Sequence, residues 1–376
     1  MSRIWITAVR SPVGVLAVIA LLSWLANDDS PPAGLSVSVA AEEVPPLKPP
    51  ASHVFTTGGR MDSFAFDPVG KTLATAGWTG PEDDHEGWKA GTNPGDLHLF
   101  DVATGKEIAH FDEECGAIFD VAFSPDGQSL ATAGRVPGSP NLGEVRIWNV
   151  ALRKTLITIR SQIGWSLSIA YSPDGLLIAS GGFDRMVRVW DARTGKEIKV
   201  LGQPSTASSL MFSADGKTLV AGCRGGTLLL WDVPTWKERA RFENEKMYLL
   251  GADISADGRF VAAGGPLLGE GGRIDMRGVL RIWDVNTGKE HRAWEVDGHL
   301  ANKVRFSPDG QFLAAAHGEC SISNVETGAR VALIPRSSSS AADQIHFSPD
   351  GKTLAIGSFR RVQLWDVSGL WPDSKP

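Results

Sequence analysis

Residues 169–201, IAYSPDGLLIASGGFDRMVRVWDARTGKEIKVL, contain four short strand patterns separated by turn signals. Pro173 stands at the second position of a tight turn, where its fixed φ is favourable, and Gly175 stands at the fourth. The alternation of apolar and polar residues from Val187 to Trp190 is typical of a strand with one buried face. The stretch therefore predicts one small antiparallel sheet of four strands. Such a sheet cannot bury its own faces and needs copies of itself as neighbours.

The same pattern recurs along the whole chain. Turns of the Ser-Pro-Asp-Gly type occur at residues 67–70, 124–127, 172–175, 213–216, 255–258, 307–310 and 348–351. Each turn is followed by a strand end similar to Trp-Asp, at residues 100–101, 148–149, 190–191, 231–232, 283–284, 323–324 and 365–366. The shortest spacing between turns is about 41 residues, which is the length of one propeller blade. These repeats predict an all-β, seven-bladed β-propeller of four-stranded antiparallel blades.

On these repeats the chain resembles the WD-repeat (Trp-Asp repeat) β-propeller family over residues 52–369. The resemblance implies a single ring, which in this family is often closed by an N-terminal strand. Repeat seven stops after Asp366, and residues 53–57 (HVFTT) form a spare strand before the first repeat. We therefore predict that this strand completes the seventh blade and removes an exposed edge. The family's hydrogen-bonded His, Asp and Trp set is complete in no blade, since the only Gly-His pair is Gly298-His299.

The N-terminal segment predicts export. Arg3 and Arg10 precede an apolar run at residues 12–26, which suits a signal-peptide core and is short for a full membrane span. Residues 1–26 are therefore a signal peptide or an uncleaved signal anchor that tethers the protein to a membrane. In either case the protein is expected outside the cytoplasm: periplasmic, secreted or membrane-anchored. Residues 27–51 form a Pro-rich linker, and residues 370–376 form a short tail.

Composition and motifs argue against several function classes. A net charge of −6 disfavours a nucleic-acid partner. Three cysteines in three different repeats, with no Cys-x-x-Cys, predict small buried thiols. We predict no cofactor, metal or catalytic residue, because no phosphate loop or catalytic motif occurs. The remaining histidines are interpreted as scattered over different blades: His85, His98, His110, His291, His317 and His346.

Variation in loop length points to one functional face. The connections between the second and third strands, here called b–c connections, are long at residues 78–95, 135–143 and 266–278. In a propeller these connections and the d–a connections between blades emerge on one face, and insertions on one face commonly mark the binding side. Residues 112–114 should lie beside the first insertion. The predicted partner-binding residues are Trp78, Glu82, Asp83, Asp84, His85, Trp88, Asp112 and Glu113.

This acidic stretch suits a basic protein segment or a divalent cation, and a solvated surface loop is the simpler interpretation. We predict an exported, non-enzymatic and monomeric interaction scaffold that binds a protein partner through this face. A propeller enzyme, or a module that binds a small ligand or cation outside the cytoplasm, is the alternative. A convergence of carboxylates and histidines at the insertion face would favour the propeller enzyme.

Overall fold

The computed structural model describes residues 54–80, 93–111, 114–139, 141–269, 273–296, 303–335 and 344–370. All of these residues belong to one compact unit, Val44–Pro376. They form seven four-stranded antiparallel sheets, which confirms the predicted fold class. Within the described ranges, no helix has the length and apolar character needed to cross a membrane.

Each sheet is one blade, with strands a to d numbered from the centre of the ring outward. Blade one contains β2 (Arg60–Phe66), β3 (Thr72–Trp78), β4 (Gly95–Asp101) and β5 (Glu107–His110). Blade two contains β6 (Ile118–Phe123), β7 (Ser129–Arg135), β8 (Leu142–Asn149) and β9 (Lys154–Ile163). Blade three contains β10 (Ser166–Tyr171), β11 (Leu177–Gly182), β12 (Met186–Asp191) and β13 (Glu197–Gly202). Blade four contains β14 (Ala207–Phe212), β15 (Thr218–Cys223), β16 (Thr227–Asp232) and β17 (Lys237–Glu243).

The last three blades follow the same order. Blade five contains β18 (Gly251–Ile254), β19 (Phe260–Leu268), β20 (Ile274–Asp284) and β21 (Glu290–Val296). Blade six contains β22 (Lys303–Phe306), β23 (Phe312–His317), β24 (Glu319–Asn324) and β25 (Arg330–Ile334). Blade seven contains β26 (Gln344–Phe347), β27 (Thr353–Ser358) and β28 (Arg361–Asp366), and its outer strand is β1 (Val54–Thr56). A short 3-10 helix, Ser368–Leu370, follows β28.

Blade seven joins the beginning of the domain to its end. Strand β1 pairs antiparallel with β28, with Phe55 opposite Val362. The Phe55 side chain is 1% exposed and packs edge-on against Phe100 of blade one, with 5.3 Å between the ring centroids. The first strand therefore belongs to blade seven by its backbone, and its Phe55 side chain packs against blade one.

Hydrogen bonds link the inner strands of neighbouring blades. The Ser63 hydroxyl donates to Asp120 Oδ1 at 2.7 Å, and the Ile169 N–H donates to Asp120 Oδ2 at 2.9 Å. The Leu210 N–H then donates to the Ser168 hydroxyl oxygen at 2.9 Å. The remaining links are Ser209 Oγ to the Ala252 oxygen (3.2 Å), Phe306 N–H to Asp253 Oδ2 (2.7 Å), Arg305 Nη2 to His346 Nε2 (3.4 Å) and Gln344 Nε2 to the Asp62 oxygen (2.6 Å). These bonds connect all seven blades into a closed ring.

The short turns are held by hydrogen bonds from their own side chains. In the a–b turn of blade three, the Ser172 hydroxyl donates to Asp174 Oδ1 at 2.5 Å, and Gly175 has a φ of 71°. In the c–d turn, Asp191 Oδ1 accepts from both the N–H and the hydroxyl of Thr194, each at 2.8 Å. The aspartates at these positions therefore act as turn formers.

Two of the c-strand tryptophans donate to hydroxyl groups on the neighbouring b strand. Trp190 Nε1 donates to Ser180 Oγ at 2.8 Å, and Trp148 Nε1 donates to Thr132 Oγ1 at 2.9 Å. Both indoles are buried, so the bonds satisfy donors that are shielded from water. In these two blades a hydroxyl group of the neighbouring strand therefore fixes the indole.

The three cysteines are buried and form no disulfide, as predicted. Cys115 packs with the core between blades one and two, Cys223 with that between blades three and four, and Cys320 with that between blades six and seven. They fill space as small apolar side chains.

One predicted loop is wrong in its extent. The sequence analysis assigns residues 266–278 to a long b–c connection, but most of this stretch continues the β19–β20 ladder. Pro266 pairs with Gly278, and Leu268 pairs with Ile274. The insertion of blade five is therefore an elongated hairpin, in which continued strand pairing satisfies the backbone groups.

We predict that the closing strand carries a large part of the stability of the ring. Phe55→Ala should lower the free energy of unfolding by about 3–5 kcal/mol, because it removes a fully buried aromatic ring. The neighbouring exposed residue offers a matched control, Thr56→Ala, which should change it by less than about 0.5 kcal/mol. Urea unfolding monitored by tryptophan fluorescence measures both changes. Deletion of residues 52–60 should destabilise the whole domain, and unchanged unfolding after this deletion would contradict the prediction.

Candidate partner-binding face

The structure describes one of the eight predicted partner-binding residues. Trp78 ends β3 at the face that carries the b–c connections, where it pairs with Gly95, and its side chain is 6% exposed. It therefore supports the base of the insertion. The other seven residues lie outside the described ranges and stay predictions: Glu82, Asp83, Asp84, His85, Trp88, Asp112 and Glu113.

The described end of the blade-one insertion lies against neighbouring connections. The Gly95 N–H donates to the Cys115 carbonyl, in the connection that enters blade two, at 2.9 Å. Arg135, at the end of β7, donates from Nη2 to Asn93 Oδ1 at 2.6 Å. The insertions of blades one and two therefore share a hydrogen-bonded base.

An aromatic and arginine cluster occupies the same face. We define this aromatic cluster as Phe119, Trp165 and Phe183 with Arg135 and Arg224. The Trp165 ring stacks on Phe119 at 5.3 Å between centroids and meets Phe183 edge-on at 5.6 Å. The Arg135 and Arg224 guanidinium groups lie 5.6 Å from Trp165 and 5.3 Å from Phe183, respectively. Trp and Arg are enriched among the residues that dominate binding energies, and Phe183 is 41% exposed.

A cleft lies beside the aromatic cluster, between blades three and four. Its volume is about 460 Å³, and its lining includes Arg185, Gln203, Pro204 and Arg241. These residues come from the b–c turn of blade three, the connection into blade four and the outer strand of blade four. The face therefore combines exposed aromatic surface with a recess whose charged lining residues are Asp184 and two arginines.

A second group of residues, the histidine cluster, lies on the two outer strands of blade one. It consists of Asp96 and His98 on β4 and Glu107 and His110 on β5. The Asp96 Oδ1 atom lies 2.7 Å from His98 Nε2 and 3.5 Å from His110 Nε2. The two imidazole rings stack at 4.4 Å between centroids, and His98 Nδ1 lies 3.2 Å from Glu107 Oε1. The interpretation of these histidines as scattered over different blades is wrong, because β4 and β5 pair with His98 opposite His110.

The charges in the histidine cluster support one another. Burial disfavours the charged form of Asp96, but the hydrogen bond and charge of His98 outweigh it and lower the pKa of Asp96. Burial likewise disfavours a charged His98, but Asp96 and Glu107 outweigh it and raise the pKa of His98. The cluster therefore favours a positive charge between two carboxylates.

The central channel contains ionisable groups on several inner strands. Burial lowers the pKa of Lys303 to about 8, Asp120 opposes this shift, and Arg305 and Arg224 add to it. Burial and the charges of Arg305 and Lys303 hold the pKa of His346 well below its ordinary value. A neutral His346 is consistent with the bond from Arg305 Nη2, because its Nε2 then acts as the acceptor.

The sequence analysis missed the aromatic cluster because its residues are far apart in the sequence. Phe119 lies near the start of β6, Trp165 in the connection into blade three and Phe183 in the b–c turn of that blade. The repeat pattern places all three at one face but does not show that they touch. The histidine cluster had a usable signal, since His98 and His110 flank one c–d turn at equal distances from its centre. Strand pairing across that turn brings such residues together.

We predict that Lys303 destabilises the fold at neutral pH. The unfolded state keeps the lysine proton up to an ordinary pKa of about 10.4, whereas the folded state releases it near pH 8. The unfolded state binds more protons between these values, so the stability of the natural protein rises with pH across this window. Lys303→Met should therefore raise the Tm below about pH 8, and this gain should disappear above about pH 10.4.

Calorimetric Tm values at pH 7 and pH 10.5 measure this difference. The exposed Lys352 in the blade-seven turn provides a control for the loss of a surface lysine, Lys352→Met. A gain from Lys303→Met that is equal at both pH values would contradict a charge effect.

Part of the chain matches the model of a known protein family. The model described as "WD domain, G-beta repeat" matches residues 105–149, 154–191 and 195–232. Each matched segment holds the outer strand of one blade and the three inner strands of the next blade. The sequence repeat is thus offset by one strand from the blade, so that each repeat contributes strands to two neighbouring blades.

Curated relatives share the same repeats. The chain is 29% identical to "WD repeat-containing protein SL1-17" of Schistosoma mansoni over 36% of this chain and 42% of the relative. It is 30% identical to "Small ribosomal subunit protein RACK1y" of Oryza sativa subsp. japonica over 45% of this chain and 50% of the relative. It is also 30% identical to "Serine-threonine kinase receptor-associated protein" of Gallus gallus over 35% of this chain and 34% of the relative.

The matched regions span half or less of each of these relatives, so the similarity concerns the repeats. Seven four-stranded blades, the matching repeat model and relatives named for their WD repeats agree with one another. The chain belongs to the WD-repeat family of β-propellers.

Proposed function

We propose that the protein is an exported, non-enzymatic interaction scaffold that binds a protein partner through the face carrying the b–c connections. Similarity to WD-repeat proteins points to an interaction scaffold. The export, the binding face and the absence of catalysis are the parts that we add.

The proposal rests on a difference in loop length between the two faces of the ring. On one face, the a–b and c–d turns repeat nearly unchanged from blade to blade and are closed by their own Ser, Thr and Asp side chains. On the other face, the b–c connections differ widely, from the single residue Gly318 in blade six to residues 79–94 in blade one. Binding residues tend to lie on variable loops that a rigid scaffold positions. The variable face is therefore the proposed binding side.

The aromatic cluster gives this face its central contact surface. Buried interface centres favour large, rigid aromatic and arginine side chains that lose little conformational entropy on binding. Trp165 is half-buried against its neighbours, so it is already fixed in position. We propose that the cluster provides the hydrophobic contact and that the acidic insertion, residues 82–86, selects a partner with basic residues.

We predict that a partner binds through two separable parts of this face. Affinity capture should use the natural protein, with extracytoplasmic and membrane extracts of the source organism as the input. Replacement of residues 81–94 by a short Gly-Ser turn should abolish retention of the partner. Trp165→Ala combined with Phe183→Ala should weaken binding at least about tenfold, which is typical of the loss of an interface hot spot.

The opposite face provides the control. Leu176 is 53% exposed in the a–b turn of blade three, so Leu176→Ala removes a similar apolar side chain and should leave binding unchanged. A partner that binds all the variants equally would place the site elsewhere. Folded protein that retains no partner would contradict the scaffold proposal.

Export rests on the N-terminal sequence, which lies outside the described residues. If residues 12–26 direct export, Ala17→Arg together with Ala20→Arg should keep the protein in the cytoplasm, because charges in the apolar run oppose insertion. Cell fractionation and immunoblotting measure the distribution. Recovery of the natural protein in the cytoplasmic fraction would contradict the proposal.

The histidine cluster favours a second candidate function, a module that binds a cation. It brings carboxylates and imidazoles together on the outer strands of blade one, and this combination of ligand types suits a divalent ion. Such binding is compatible with a scaffold role, since the cluster and the aromatic cluster are separate groups of residues.

A further inference from the structure

Equivalent positions in the other blades can be compared with the histidine cluster of blade one. His98 lies two residues before the aromatic residue at the end of its c strand, Phe100. The equivalent position holds an arginine in blades two, three and five, namely Arg146, Arg188 and Arg281. Arg188 and Arg281 form ion pairs with glutamates on the d strand, Glu197 and Glu290, and Arg146 pairs with Glu144 on its own strand. An arginine would therefore meet the structural need for a cation at this position.

Blade one differs at two positions, and both hold histidine. His110, opposite His98 on the d strand, takes the place of Thr158 in blade two, Val200 in blade three and Ala293 in blade five. An imidazole can bind a metal ion through its ring nitrogen, whereas an arginine, threonine, valine or alanine side chain supplies no comparable ligand. Only the combination in blade one, with Asp96, therefore gives these positions a set of metal ligands.

The three side chains already converge. The possible ligand atoms of Asp96, His98 and His110 all lie within 4.8 Å of one another. Zinc bonds of about 2.0–2.1 Å in a tetrahedral site place ligand atoms roughly 3.3 Å apart. The distance from Asp96 Oδ1 to His110 Nε2 is 3.5 Å, and that to His98 Nε2 is 2.7 Å. A bound ion therefore requires Asp96 Oδ1 and His98 Nε2 to move apart by about 0.6 Å. Because the two imidazole rings stack with 20° between their planes, it also requires the exposed His110 ring to turn until its Nε2 lone pair points at the ion.

A second carboxylate lies at ion-pair distance from the other ring nitrogen of His98. A metal-binding histidine generally donates its second ring N–H to a carboxylate or carbonyl, which fixes the ring and raises its basicity. His98 Nδ1 lies 3.2 Å from Glu107 Oε1, on the side of the ring away from Asp96. Glu107 can therefore orient His98 while Nε2 binds the ion.

We propose that Asp96, His98 and His110 bind a divalent transition-metal ion of the zinc type. Two imidazoles and one carboxylate provide three ligands, and the fourth position is left for water or for a group from a partner. His110 has 41% of its side chain exposed, so the site is open to solvent on one side. The proposal is independent of the scaffold function, because it concerns binding of the metal alone.

The site is connected to the closure of the ring. The Gly59 backbone N–H donates a hydrogen bond to the Asp96 carboxylate, and Gly59 follows the closing strand β1 by three residues. His98 also lies 6.0 Å from Phe100, which packs on Phe55. An ion that fixes Asp96 and His98 should therefore stabilise the closed domain against unfolding.

The test is titration of the full chain, freed of metal with a chelator, with Zn²⁺ alone. We expect calorimetry to show one saturable site per chain, and we expect the Tm to rise by about 5 °C when free Zn²⁺ exceeds Kd about a hundredfold. Bound Co²⁺ should give the visible absorption of a site with nitrogen and oxygen ligands. Ca²⁺ and Mg²⁺ at the same concentrations should leave the Tm unchanged, since these ions prefer oxygen ligands.

The matched variant gives blade one the residues of blade two, by His98→Arg together with His110→Thr. We expect this variant to lose the Zn²⁺ response. Its metal-free Tm should stay within a few degrees of that of the natural protein, because the new guanidinium would pair with Glu107 as Arg188 pairs with Glu197. Asp96→Asn is a second variant that should weaken Zn²⁺ binding at least tenfold if the double variant does not fold. His291→Gln, which removes a histidine of blade five, should bind Zn²⁺ like the natural protein.

Two outcomes would overturn the proposal. The first is the absence of saturable Zn²⁺ binding to the natural protein. The second is binding that persists unchanged in folded His98→Arg/His110→Thr or Asp96→Asn protein. Loss of partner retention in capture experiments would bear on the scaffold function and leave this result unaffected.

Discussion

The inner strands impose the constraint on which the rest of the structure depends. Each inner strand has a neighbour in its own sheet on one side only, so its other edge faces the channel with unpaired backbone groups. Side chains such as Asp120 and Asp253 accept hydrogen bonds from the N–H groups of the next blade. Each blade therefore supplies hydrogen-bond partners to the inner strand of its neighbour, and a blade outside the ring would lack them. The outer connections can then vary in length without disturbing the centre.

Blade one concentrates the features that distinguish this ring from a regular repeat. Its longest connection, residues 79–94, begins at the buried Trp78 and ends at Gly95, which bonds to the entry of blade two. Its outer half carries the histidine cluster, and its Phe100 packs on the closing strand. Blade one therefore holds the long connection, the histidine cluster and the contact with the closing strand. Blades three and four provide the aromatic surface and the cleft on the face that carries the b–c connections.

The number and type of blades could be predicted from the sequence because the same local pattern of turns and strands recurs in every blade. Each Pro-Asp-Gly-type turn, such as that at Asp174 and Gly175, is fixed by interactions within a few residues, and seven such turns determine the number of blades. The length of the β19–β20 hairpin was missed, since glycine permits a loop and a ladder alike. The histidine cluster depends on an irregularity between Leu99 and Phe100 that sets the register of β4 and β5. The same shift recurs in the c–d pairs of blades two to six, so the equal spacing of the two histidines from one c–d turn was the signal that could have predicted their contact.

The position of the first strand also determines the order in which the protein can be completed. Residues 54–56 leave the ribosome before any blade exists, yet their partners, residues 361–363, are made at the end of synthesis. Strand β1 therefore stays without its β28 partner until the rest of the domain has been synthesised. Its pairing closes a loop of almost the entire domain, which is the slowest kind of contact to form. A truncated chain that stops before β28 thus keeps a free strand at each end, and such chains are prone to join to one another.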